Sequence, residues 1–152
     1  MQLSKNLSLA EMISSESAKR KGISNQPTAE HINNMKILAE KVFQPIRDHF
    51  GIPIHISSGY RSKELNKAIG GSQTSQHSKG QAMDIDMDGS EITNKQVFDW
   101  IKANLDYDQL IWEFGTKANP DWVHVSFNPN GVQRKQALIG KKIADKTAYL
   151  NY

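Results

Sequence analysis

The stretch Ser75-Gln-His-Ser-Lys-Gly-Gln-Ala-Met-Asp-Ile-Asp-Met-Asp-Gly89 supports two metal-binding readings that compete for Asp84. Its first half offers His77 and Asp84 to a transition metal. Its second half, Asp84-x-Asp86-x-Asp88-Gly89, matches the opening of a calcium loop, with oxygen ligands at the first, third and fifth positions and Gly at the sixth. Such a loop needs a bidentate Glu at its twelfth position. Counted from Asp84 that position is Lys95, a cation where the site needs its strongest anion. The run Gly70-Gly-Ser-Gln-Thr-Ser-Gln76 is loop-like, so no helix precedes Asp84 either. The calcium reading survives only as an irregular site using Asp86 and Asp88 with help from Glu91. Otherwise Asp86 shares a strand face with Asp84 and Asp88-Gly89 is a turn.

Cysteine is absent, so any transition metal must be held by His and carboxylate, and no disulfide frame is available. There are five histidines. His31 and His49 lie in a helical pattern, and His55 alternates with Ile54 and Ile56 and faces away from their side of a sheet. All three are read as structural.

The elements that must position these groups follow from periodicity. Ser8-Leu-Ala-Glu11 fits a capping box opening a short helix that closes near Gly22. From Thr28, the residues Ile32, Met35, Leu38, Ala39, Val42, Ile46 and Phe50 recur at helical steps, with Pro45 expected to kink the helix or split off its last turn. Ile52 to Ser57 alternates like a strand, and Ser62 to Ile69 reads as a short helix ended by Gly70-Gly71. Ala82 to Met87, Gln109 to Phe114 and Trp122 to Phe127 read as strands, and Thr93 to Leu105 as a helix with its own capping box. The basic tail after Phe127 has no clear assignment. Helices first and strands later predict an α+β fold with a mainly antiparallel sheet and helices packed on it.

The 152 residues are 38% hydrophobic and 23% charged, as expected for one domain spanning 1–152 and acting as a monomer. The net charge of +3 comes from 19 Lys and Arg against 16 Asp and Glu. This excess is too small to argue for nucleic acid, although it suits anionic polymers. Only the tail residues Arg134, Lys135, Lys141, Lys142 and Lys146 speak for a nucleic-acid partner, and none is expected. The N-terminus has no apolar signal core, and no run approaches the ~20 apolar residues of a membrane span. The expectation is synthesis in the cytoplasm without a signal peptide.

Three segments occur in order: Ser58-Gly-Tyr-Arg-Ser62, then Ser75-Gln-His77 running to Asp84, then Asp121-Trp-Val-His124. Over roughly residues 7 to 135 the chain thereby resembles the M15 zinc peptidases, which cut D-Ala-D-Ala or neighbouring bonds in peptidoglycan stem peptides. That family has the Hedgehog/DD-peptidase fold. The layout is similar to short phage and prophage members without a signal peptide, which implies delivery to the cell wall through phage lysis or a virion.

The resemblance implies a Zn2+ cofactor with His77, Asp84 and His124 as ligands, and the chemistry agrees. Gly80 allows a tight turn between His77 and the strand carrying Asp84, and a later strand brings His124. Two imidazoles and one carboxylate leave an open fourth position, where a water has its pKa lowered to roughly 7. The resemblance further implies that Arg61 binds substrate and stabilises the oxyanion, and that Ser75 contacts substrate. A fixed guanidinium near a polarised carbonyl suits that role. Tyr60 and Gln76 are further candidates for lining the cleft, with packing as the competing reading.

The general base has two candidates. Many family members carry Glu three residues before the last His. Here Asp121 takes that place, and its side chain reaches ~1.5 Å less. Three residues is odd strand spacing, so Asp121 shares a face with His124 only if Asn119-Pro120 bends the chain. Glu113, on a neighbouring strand, is the rival, and Asp121 is the favoured choice on this reading. The departure at Asp121 also leaves open a non-catalytic wall-binding or virion-structural module on the same fold.

Overall fold

A computed structural model describes residues 1–152 as an α+β fold. A small ribbon of β1 (Gln2–Ser4) and β2 (Leu7–Ser8) leads into α1 (Leu9–Ile13), which Ser8 and Glu11 close reciprocally as the expected capping box. Two helices stand where one reaching Gly22 was expected. The Ser15 hydroxyl accepts from the Ala18 N–H and caps α2 (Glu16–Lys21) afresh, and Gly22 ends it at φ 63°. Thr28 caps α3 (Ala29–Leu38), which continues through a π-helical segment (Ala39–Phe43) into α4 (Gln44–Phe50). The disturbance expected at Pro45 is thus a bulge just upstream of it. Pro45 offers no N–H, and the Gln44 N–H reaches back five residues to the Ala39 carbonyl.

The remaining elements are β3 (Ile56–Ser58), α5 (Lys63–Ala68), a 3-10 turn (Gln76–Lys79), β4 (Ala82–Ile85), α6 (Asn94–Asn104), β5 (Gln109–Glu113), β6 (Trp122–Ser126), β7 (Gln136–Ile143) and β8 (Lys146–Asn151). The strand expected from Ile52 starts only at Ile56, beyond Pro53, which has no N–H for a ladder. The sheet order is β3-β4-β6-β5-β7-β8. Every pair is antiparallel except β5 with β7. The tail that periodicity left unassigned is therefore the β7–β8 hairpin. Ala144 and Asp145 turn it with φ of 50° and 63°, the left-handed pair that a two-residue hairpin loop requires.

Alternation along the strands divides the sheet into two faces. Met83 and Ile85 of β4, Leu110 and Trp112 of β5, and Val123 and Val125 of β6 enter one core cluster of 22 buried residues with Met35, Val42, Phe43, Ile46, Phe98 and Ile101 of the helices. Each such side chain contributes roughly 1.5–3 kcal/mol by leaving water. The intervening residues, Asp84, Ile111, Glu113 and His124, point to the opposite face. No helix is long and apolar enough to cross a membrane.

Candidate metal centre and catalytic cleft

Strand register alone brings two of the expected ligands together, because Asp84 of β4 pairs with His124 of β6. The His124 Nδ1 atom lies 3.1 Å from Asp84 Oδ1. His77 arrives from the 3-10 turn, which Gly80 closes in the left-handed region at φ 72°. A Cβ on Gly80 would lie 2.5 Å from the His31 carbonyl oxygen, so conformation and space both demand glycine there.

His77 is 2% exposed and fixed in orientation. Its Nδ1 lies 2.7 Å from the Gly59 carbonyl oxygen. A carbonyl only accepts, so Nδ1 carries the proton and Nε2 keeps its lone pair. That Nε2 is buried without a hydrogen-bond partner, 3.3 Å from Asp84 Oδ1. One ligand atom from each of His77, Asp84 and His124 falls within 4.8 Å of the others. Two imidazole nitrogens, one carboxylate oxygen and an orphaned lone pair fit a divalent transition metal such as zinc. Burial alone would raise the Asp84 carboxyl, but His77 and His124 beside it hold it well below the usual carboxylate range.

The Ser58–Ser62 segment is locked against the N-terminal helices. The Tyr60 N–H donates to the Met12 carbonyl at 2.7 Å, and a Cβ on Gly59 would lie 2.3 Å from that same oxygen. Asn25 holds the segment from the other side. Its Nδ2 donates to the carbonyls of Ile13 and Tyr60, and its Oδ1 accepts from the Ser62 N–H at 2.7 Å. The Arg61 N–H donates to the His77 carbonyl at 3.2 Å, which ties the two motifs together. The Arg61 guanidinium has its Nη2 4.0 Å from Asp84 Oδ2, donates from Nη1 to Asn66 Oδ1 at 3.3 Å, and keeps a buried Nε without a partner. Burial lowers its pKa, with Asp84 and Glu113 opposing.

Glu113 lies on the same sheet face, one strand beyond His124. It pairs with Trp122 while Ile111 pairs with His124. It is 6% exposed, and its Oε2 has no hydrogen-bond partner. Burial pushes its carboxyl up to about 7, with Asp84 adding to the rise and His124 and Arg61 pulling against it. Asp121 is placed otherwise. It is exposed, does not border the cleft, and donates its N–H to the Glu113 carbonyl at 2.9 Å. β6 begins directly after it, so alternation turns its side chain off the His124 face, and the bend at Asn119-Pro120 does not bring it back.

These groups border a cleft of about 1190 Å³, which Ser75 and Gln76 also line. The Ser75 hydroxyl accepts from the His77 N–H at 3.2 Å, and Gln76 donates to Asp108 Oδ2 at 3.0 Å. Asp108 in turn takes the Arg134 backbone N–H, Nε and Nη2, which pins the connection from β6 to β7 at the start of β5. Tyr60 does not line the cleft. It is 4% exposed in the core, against His31. Nor does Asp86, whose Oδ1 accepts from the Asp88 N–H and from Asn94 Nδ2, closing a turn that ties the end of β4 to the start of α6. His55 is exposed, and His49 stacks on Trp100.

Sequence reading passed over Asn25, Asn66 and the Gly59 carbonyl. Gly59 stood inside a motif singled out for Arg61, whereas the two asparagines carry no local signal. No curated protein matches the chain. Residues 5–126 do match the family described as Peptidase M15, over a span that contains His77, Asp84, His124, Arg61 and Glu113. With that match and this cleft, the chain belongs to the Peptidase M15 family of metallopeptidases.

Proposed function

We infer that the chain is a zinc-dependent peptidase cutting peptide bonds of bacterial peptidoglycan stem peptides, acting after phage lysis or from a virion. The observation that carries this reading is one cleft in which His77, Asp84 and His124 converge beside the buried carboxyl of Glu113. Metal affinity resides in His77 Nε2, the Asp84 carboxylate and His124 Nδ1. Zinc held there supplies Lewis acidity toward the scissile carbonyl and toward water.

The chain's own residues do the rest. Glu113 takes the proton from the attacking water and passes it to the departing amine, a task suited to a buried carboxylate on the same sheet face as His124 with an unpartnered oxygen. Arg61 places a guanidinium where negative charge develops on the carbonyl oxygen. Asn66, itself buried, and Asp84 hold that guanidinium in place. Ser75 and Gln76 border the path of the peptide. Asp121 has no part in the chemistry, and the base is Glu113. The binding-module alternative drew its support from the substitution at Asp121, and the buried Glu113 carboxyl beside the metal-ligating set favours the enzyme over it.

The test is mass spectrometry of muropeptides digested by wild type and by His124→Ala, with metal content measured on both. Released peptide fragments and stoichiometric zinc are expected for wild type alone, with activity stopped by chelation. A metal-free wild type, or equal digestion by the variant, refutes the reading. The masses released distinguish a terminal D-Ala, as from a carboxypeptidase, from longer fragments, as from an endopeptidase.

A further inference from the structure

We propose that the C-terminal β7–β8 hairpin is a working part of this cleft: Gly140 is the positioning residue that leaves room for the Glu113 carboxylate, and Tyr149 borders the leaving side of the bound peptide. This rests on the peptidase reading, and it concerns residues beyond the 5–126 span of the family match.

The first argument is register. Glu113 of β5 pairs with Gly140 of β7, and Gly140 pairs with Tyr149 of β8, so the three share one sheet face in a row. The parallel β5–β7 pairing runs in step from Gln109–Gln136 to Glu113–Gly140, which fixes that row. On the same face, Leu138 and Asn151 extend the row that contains Asp84, His124 and Ile111. Thr147, Tyr149 and Asn151, at alternate positions of β8, all border the cleft.

The second argument is space. Gly140 sits mid-strand outside the positive-φ region, so its backbone does not call for glycine. A strand-interior glycine then marks a close approach. A Cβ built there would lie 2.8 Å from Glu113 Oε2 and 3.1 Å from the Tyr149 ring. Oε2 is the buried atom without a partner, so the missing side chain is what houses it. Glu113 also stands between the ligand strands and Tyr149. A leaving amine that takes its proton from Glu113 therefore has the hairpin on its far side, where Thr147, Tyr149 and Asn151 present polar, uncharged side chains to the leaving portion. Burial and the neighbouring Glu113 and Asp84 raise the Tyr149 phenol, so it stays a donor at neutral pH.

Gly140→Ala bears first on Glu113, because its tightest contact, Oε2, is the far end of a side chain and the carboxylate shifts while the strand persists, and Tyr149→Ala tests the ring by itself. Gly140→Ala should keep its zinc and lose about 10²-fold or more in kcat with little change in KM, the scale of a displaced general base. Tyr149→Ala should raise KM several-fold, and Tyr149→Phe should recover most of that loss. Unchanged kinetics in Gly140→Ala and Tyr149→Ala overturn the proposal. A cycle on the metal-free protein decides the Gly140–Glu113 contact independently of activity. Gly140→Ala should lower Tm more in wild type than in Glu113→Ala, and equal shifts overturn the proposal. A wild type that cuts no muropeptide sinks the peptidase reading instead, and the cycle still tests whether Gly140 makes room for Glu113.

Discussion

The Nδ1 atom of His77 lies 2.7 Å from the carbonyl oxygen of Gly59, and this single contact decides which nitrogen of the imidazole can bind a metal. The carbonyl is held in place because Gly59 packs directly on the Met12 backbone, with no room for a side chain. The Ser58–Ser62 segment and His77 are thus joined through a backbone atom.

Gly59→Ala tests that linkage. Its Cβ would meet the Met12 carbonyl oxygen at 2.3 Å, and neither backbone can yield cheaply. We expect a loss of about 2–4 kcal/mol in stability and, at temperatures where the variant stays folded, zinc affinity at least 10-fold weaker. Thermal unfolding with and without zinc measures both. A variant with wild-type Tm and zinc affinity would show that the contact does not orient His77.

The choice of base is tested by paired substitutions. Glu113→Gln should lose 10²–10⁴-fold in kcat while retaining zinc, whereas Asp121→Asn should stay within about twofold of wild type. The reverse ranking in a muropeptide assay would return the role to Asp121.

Glu113 also makes the metal-free protein sensitive to pH in a definite direction. Its carboxyl sits near 7 in the fold against an ordinary 4.5, so between those values the folded protein keeps a proton that the unfolded chain releases. Unfolding free energy therefore falls as pH rises through that window. Glu113→Gln cannot ionise, so its stability advantage over wild type should grow from pH 4.5 to 7 and reach on the order of 2 kcal/mol. Denaturant titrations of metal-free protein across this range provide the measurement, and parallel pH curves for the two proteins contradict it.

The clamp between Asp108 and Arg134 makes a separate claim on the architecture. Asp108 is 4% exposed and receives three bonds from Arg134, which hold its carboxyl below the ordinary range against the effect of burial. Arg134→Ala leaves that carboxylate buried with its main partner gone, so stability should drop by about 1–3 kcal/mol. The Asp108 contribution is present above its unfolded pKa and lost as pH falls through the folded one, so the variant's deficit should shrink in acid. An unchanged denaturation midpoint in Arg134→Ala would mean that the clamp adds nothing.

Residue types and their order along the chain limit which side chains could meet. The ordered segments around Arg61, His77 and His124 pointed to one His-Asp-His set through their resemblance to the M15 peptidases, and the lack of cysteine, the cation at Lys95 and the turn at Gly80 agree with it. The α+β class and most strands followed from the same periodicity. The rest follows from strand pairing over long distances in the chain. Asp121 lies close to His124 in sequence yet turns off its face, whereas Glu113 reaches the cleft through the antiparallel register of β5 against β6. The motif leaves Tyr60 between lining the cleft and packing, and the backbone bond to Met12 places it in the core. Gly140 and Tyr149 came from a tail that seemed only basic, since their meaning depends on β7 pairing parallel with β5, a contact no local pattern encodes. Local periodicity fixes which way a side chain points on its own element. Which side chains then face one another is set by pairing between distant strands.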